Sequence, residues 1–149
     1  MQITYPLLVC CAFLCSFSTV LAQGTLTVQV TNVEVARGSI YVALYQDEAA
    51  FLREDEPLRG EIIPVASLKD CTVSIAQLPF GKYAVAVFHD WNGNGRLDKN
   101  SFGIPTEPYA FSNNPVVKWR RPTFAEMLIT IGESRQDITV ELRQWRKHG

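Results

Sequence analysis

Apolar and polar residues alternate along most of this chain with a period of two. Leu26, Val28 and Val30 fall on one side of such a run, and Thr25, Thr27 and Gln29 on the other. Ile40, Val42 and Leu44 repeat the pattern after an Arg37-Gly38 turn. Val73 and Ile75 do so between Thr72, Ser74 and Gln77, and Ile138, Val140 and Leu142 between Thr139 and Glu141. Successive side chains of an extended strand point to opposite faces, so each run predicts a strand with one buried face. The runs are short, rich in β-branched residues and bounded by Gly, Pro, Asn or Asp. Tyr83 to Phe88 is apolar throughout, which predicts a central strand covered on both faces. Phe124 to Ile131 predicts a further strand, and Glu61 to Val65 a weaker one that Pro64 assigns to a sheet edge. Only Asp47 to Leu58 has helical character: Asp47 can cap a short helix through Ala49, Ala50, Phe51 and Leu52, and Pro57 ends it. No segment sustains a period of 3.6, which excludes a helical bundle or an α/β layer fold. The pattern predicts an all-β fold, a single-domain antiparallel β-sandwich of about seven strands with one long aromatic loop.

Residues 1–22 stand outside this pattern. Leu7 to Cys15 is an unbroken apolar run, loosened by Ser16 to Thr19, and Val20-Leu21-Ala22 places small or apolar residues where a signal peptidase cuts. The run falls short of the ~20 residues needed to span a bilayer. It predicts a secretory signal peptide over 1–22 and a β-sandwich domain over 23–149, with an uncleaved anchor as the alternative. No small residue directly precedes Cys10, Cys11 or Cys15, which argues against a lipoprotein. Cleavage would leave Cys71 as the lone cysteine, so the fold must stand on its core without an internal disulfide. The start of an alternating strand is the setting of a buried structural thiol rather than a reactive one.

Charge is nearly balanced, with 14 Lys and Arg against 15 Asp and Glu. Nothing in it points to nucleic acid or to an anionic membrane, and stable membrane insertion is not expected after signal cleavage. The basic tail of Arg143, Arg146, Lys147 and His148 fits a solvated terminus.

Leu78-Pro79-Phe80-Gly81-Lys82-Tyr83 is a tight turn opening into the apolar strand. The order Leu-Pro-x-Gly-x-Tyr resembles the transthyretin-like and carboxypeptidase-regulatory-like sandwiches, and Ig-like topology is close to both. The resemblance implies that Tyr83 closes one end of the core, and it implies no activity.

The chemistry-bearing candidate follows that strand. Counting Asp90 as the first position, side-chain oxygens recur at Asp90, Asn92, Asn94 and Asp98, Gly95 stands where a calcium loop turns, and Arg96 can offer its carbonyl. Ser101 replaces the bidentate Glu of an EF-hand, and the flanks are not helices. Calcium bound here would have extracellular-module affinity, of order 10⁻⁴ to 10⁻³ M. His89 and Glu107 are candidate supporting residues around the ion, Glu107 from the following loop. The competing interpretation is a metal-free array of Asx turns, for which Asn, Asp and Gly are equally suited.

Asn100 to Phe124 is long and aromatic. One interpretation is a partner surface in which Trp91, Tyr109, Phe111 and Trp119, with Arg120, meet a glycan or another protein. The other, favoured here, is a cap that buries Phe102, Ile104, Tyr109 and Phe111.

The run His89-Asp90-Trp91-Asn92-Gly93-Asn94-Gly95-Arg96-Leu97-Asp98, followed by Phe102-Gly103-Ile104-Pro105-Thr106-Glu107-Pro108-Tyr109-Ala110-Phe111-Ser112-Asn113-Asn114, resembles the bacterial secreted domain of unknown function numbered 2141. The resemblance extends from the Gly24 strand to Leu142 and includes Pro122-Thr123-Phe124. It implies that His89, Asp90, Asn92, Asn94, Gly95, Asp98, Pro105, Glu107 and Tyr109 form one structural unit, and it brings no assigned activity. Trp91 and Lys118-Trp119-Arg120-Arg121 depart from the family pattern, so a ligand bound there would be particular to this chain.

A hydrolytic role for His89 with Asp90 is the sharp enzymatic alternative. Neighbours on a strand face opposite ways, no nucleophile elbow is present, and His148 is the only other histidine. The expectation is therefore a non-enzymatic, exported accessory or binding module, calcium-stabilised through Asp90–Asp98. A purely structural secreted domain without a small ligand is the alternative.

Overall fold

The computed structural model describes residues 22–54, 56–116 and 120–145. The signal-peptide expectation covers residues 1–22, of which 1–21 lie outside the described residues, as do Trp119 and the tail beyond Trp145. The chain forms two sheets and two short helices: β1 (Gln23–Thr31), β2 (Ser39–Tyr45), α1 (Glu48–Arg53), β3 (Arg59–Pro64), β4 (Cys71–Pro79), β5 (Gly81–Asp90), β6 (Tyr109–Phe111), α2 (Phe124–Met127), β7 (Leu128–Ile131) and β8 (Arg135–Glu141). One sheet has the order β4-β1-β8. The other runs β3-β2-β5-β6, with β7 also on β5.

The alternating runs supply the inner faces. Leu26, Val28 and Val30 of β1 meet Ile40, Val42 and Leu44 of β2, with Val85 and Val87 of β5 and Val140 of β8, all buried in one core. Each such aliphatic side chain contributes about 1.5–3 kcal/mol by leaving water. Tyr83 closes an end of this core, fully buried, its hydroxyl donating to the Pro79 carbonyl at 2.6 Å. Burial pushes that phenol above its ordinary pKa. The all-apolar strand is central, as its pattern predicts: β5 pairs with β2 on one side and with β6 and β7 on the other. Its outer face is covered at one end by a second cluster of Phe51, Ala84, Phe124 and Met127.

The expected all-β sandwich of about seven strands is borne out, and finer points of it differ. There are eight strands, and β1 pairs with β8 in parallel, because the chain leaves β7 in one sheet and crosses to the other before β8. Gly24 allows that crossing: a Cβ there would lie 2.4 Å from the Glu133 carbonyl oxygen. The strand expected over Phe124 to Ile131 begins instead as α2, because Thr123 and Glu126 form a reciprocal capping box that satisfies the helix start. The stretch expected to be one long aromatic loop contains β6, which adds to β5. Finally, Phe102 is not buried under a cap but 88% exposed. Asn100 Oδ1 accepts from the amides of Phe102 and Ile104, and this tight turn, completed by Gly103 at φ 74°, aims the ring outward. Asp47 caps α1 as expected, accepting from Ala50 N, but the helix ends at Glu54 in the left-handed region, before Pro57.

Candidate binding groove and the Asp90–Asp98 loop

The outer face of the larger sheet carries the site. Ala43 of β2 lies directly opposite Ala86 of β5, which in turn faces Phe111 of β6. One residue pair along, Tyr41, Phe88 and Tyr109 form the next row across the sheet. Two adjacent alanines between rows of aromatics leave a valley. Tyr45 and Phe51 form one wall, and α1 brings Phe51 edge-on to Tyr45 (5.5 Å) and to Phe111 (6.0 Å). Phe88 and Tyr109 of the next row also line the valley, as do Leu97 and Ile104 of the following loops. The groove has a volume of about 590 Å³, within the range of small-molecule sites.

Cations gather at one rim. Lys99 Nζ and Arg121 Nη2 each lie 2.6 Å from the same oxygen, Glu54 Oε1. Glu54 stands at the left-handed C-cap of α1. The Lys99 hydrogen bond holds the Glu54 carboxyl below its usual range; burial opposes this, and Arg121 adds to it. The Arg121 guanidinium also stands 5.7 Å over the Phe51 ring. Arg120 is matched differently, by a two-pronged contact with Glu126 at 2.8 and 2.7 Å.

The loop after β5 walls the groove through Gly95, Arg96 and Leu97. Its centre is Asp90, fully buried, whose Oδ1 accepts from Gly93 N (2.7 Å) and Asn94 N (3.3 Å) and Oδ2 from Gly95 N (2.8 Å). Burial alone would raise its pKa. The amides of Gly95, Gly93, Asn94 and Asn92 outweigh burial and hold it below the ordinary value. Asn92 Oδ1 accepts from Asn94 N, and Asn94 Oδ1 from Arg96 N. Both side-chain amides donate to Asp98, at 2.6 and 2.9 Å. Glu107, buried, spans the loop from below: Oε1 accepts from Trp91 N at 2.8 Å and Oε2 from Asp98 N at 3.1 Å. Asp98 O in turn accepts from Thr106 N, and Pro105 bridges to Lys99. Among the described residues, no three His, Cys, Asp or Glu side chains group as metal ligands.

The structure thus brings Asp90, Asn92, Asn94, Arg96, Asp98 and Glu107 together. Their oxygens accept mainly from backbone amides of the loop itself, and the Arg96 side chain is 79% exposed, 3.8 Å from Asp98. His89 is also near but faces inward, its Nε2 donating to the Arg37 carbonyl at 2.7 Å. It and Asp90 therefore serve different backbone partners and do not bond each other. The residues grouped as a partner surface are divided. Tyr109 and Arg120 line the groove, while Trp91 packs edge-on to His89 at 6.0 Å with its indole nitrogen buried and unpartnered. His89 Nδ1 is likewise buried without a partner.

Sequence reasoning missed the groove floor and its charged rim. The signal was present in Tyr83 to Phe88, where Ala84 and Ala86 share the face opposite to Tyr83, Val85 and Val87. Lys99, Glu54 and Trp145 carried no such signal, since only the fold brings them to one rim. A family model described as an uncharacterized protein conserved in bacteria (DUF2141) matches residues 28–139. No curated protein and no solved structure matches the chain.

Proposed function

The chain belongs to the DUF2141 family, and from the groove we propose that it is a non-enzymatic, exported binding module whose ligand lies on the outer face of the larger sheet. The observation that carries this reading is the valley over Ala43 and Ala86, walled by aromatics. Its described lining is apolar, aromatic and cationic, with Glu54 as the carboxylate. That chemistry suits retention of a ligand rather than proton transfer on it. Export is supported by the apolar N-terminal run.

A neutral apolar reporter such as N-phenyl-1-naphthylamine tests the groove. Wild-type protein should enhance its fluorescence, and Ala86→Phe, which fills the valley floor, should reduce that enhancement about tenfold while leaving the melting temperature within a few degrees. Equal enhancement by both proteins would remove the groove from consideration and favour a purely structural domain.

Two readings compete for the Asp90–Asp98 loop. The amide bonds to Asp90, Asn92 and Asn94 favour a self-closed wall that positions Leu97 beside the groove. A calcium ion, with oxygens from Asp90, Asn92, Asn94, Asp98 and the Arg96 carbonyl, would have to share or displace those bonds. This accords with an affinity no tighter than about 10⁻⁴ M. Calorimetric titration separates the two. Heat together with a rise in melting temperature at about 10 mM calcium assigns the ion, and their absence assigns the self-closed wall.

A further inference from the structure

We infer that the occupant of the groove is a small amphiphile with a single anionic group, its apolar body over Ala43 and Ala86 and its anion between Lys99 and Arg121. This rests on the groove being a binding site and adds the chemistry of what it takes. Two observations carry it. The floor and walls are apolar over their length, so the buried part of a ligand gains by being apolar too. At the rim, two cations converge on one carboxylate oxygen, each at 2.6 Å. Lys99 and Arg121 against Glu54 leave one positive charge in excess. Lysine has three donors and arginine five, so a second oxyanion can be accepted beside Glu54. Arg120 adds no excess charge, since Glu126 matches it.

A glycan, one partner expected from the sequence, is less well served. Sugar hydroxyls need several fixed acceptors around an aromatic platform, and among the described lining residues Glu54 is the one carboxylate. A cationic ligand would meet the excess charge of Lys99 and Arg121. A carboxylate on a chain or ring matches both the floor and the rim. It lies beside Arg121 stacked on Phe51, a guanidinium already held in place.

The test compares three probes of equal chain length on the mature protein, read by tryptophan fluorescence, because Trp145 lines the groove. Decanoate should bind at least about fivefold more tightly than decanol, the difference expected of a partly exposed charge-assisted contact, and decyltrimethylammonium more weakly than both. The variant Lys99→Gln/Arg121→Gln should bring decanoate to within about twofold of decanol. Glu54→Gln should move the other way and tighten decanoate by about threefold, a gain that general disruption would not produce. Equal binding of decanoate and decanol, or preference for the ammonium, would overturn the anionic inference and leave the groove reading intact. Binding to anionic phospholipid vesicles but not to monomeric decanoate would overturn the free amphiphile as occupant. Failure of all three probes, with wild-type and Ala86→Phe protein indistinguishable, would overturn both.

Discussion

Gly38 shows how much one residue can be asked to do. It adopts φ 74°, its carbonyl accepts from Val65 N, and a Cβ on it would lie 1.9 Å from the Asp90 carbonyl oxygen. An alanine must therefore be strained and also push β5 away at the point where the Asp90 loop begins. Gly38→Ala should cost about 3 kcal/mol or more, measured as a lowered denaturation midpoint with unchanged m. The sequence marks Arg37-Gly38 as a turn, but the contact with Asp90 is a property of two distant strands and leaves no local trace. Ser112, Asn113 and Asn114 are similar. Ser112 Oγ accepts from Val85 N and donates to the Met127 carbonyl, Asn113 donates to Glu126 O and Leu128 O, and Asn114 bonds Thr139 O and Glu141 N. Read in isolation they are turn residues; folded, they tie β5, α2, β7 and β8 together.

Among the elements, the Asp90–Asp98 loop is the most self-sufficient. Its spacing of Asp, Asn and Gly was legible, and so was the tie to Glu107 as a candidate. The direction of each oxygen was not, because the same residues suit an ion and a chain of Asx turns. The electrostatics of the loop has a consequence for acid stability. The folded pKa of Asp90 lies below its unfolded value of about 3.9. Its contribution is therefore complete above that value and is lost as pH falls through the folded pKa. Glu126, lowered to about 2 by Arg120 and by the Thr123 cap, acts in the same direction. Stability should be level from pH 7 to about 5 and decline below about 4. Asp90→Asn should be less stable at pH 7 and show a shallower acid decline, followed by urea denaturation across pH. An identical slope in the variant would show that this carboxylate is not the source. The helix α2 was missed for a more ordinary reason: Thr123-Phe124-Ala125-Glu126 is a capping-box sequence lying within an apolar run that also reads as strand.

At the scale of the whole molecule, the sandwich and its central strand follow from period-two patterning, since a one-residue slip would turn every buried side chain outward. The groove does not follow in the same way. It depends on Ala43 falling opposite Ala86, on α1 bringing Phe51, and on residues from 54 to 145 meeting at one rim. The parallel pairing of β1 with β8 has a further consequence, because it joins segments more than a hundred positions apart. Until β8 emerges, β1 keeps an unpaired edge and the smaller sheet consists of two strands. A contact of such high order forms late and slowly. Folding of the smaller sheet is thereby delayed until β8, the last of the described strands, has left the ribosome.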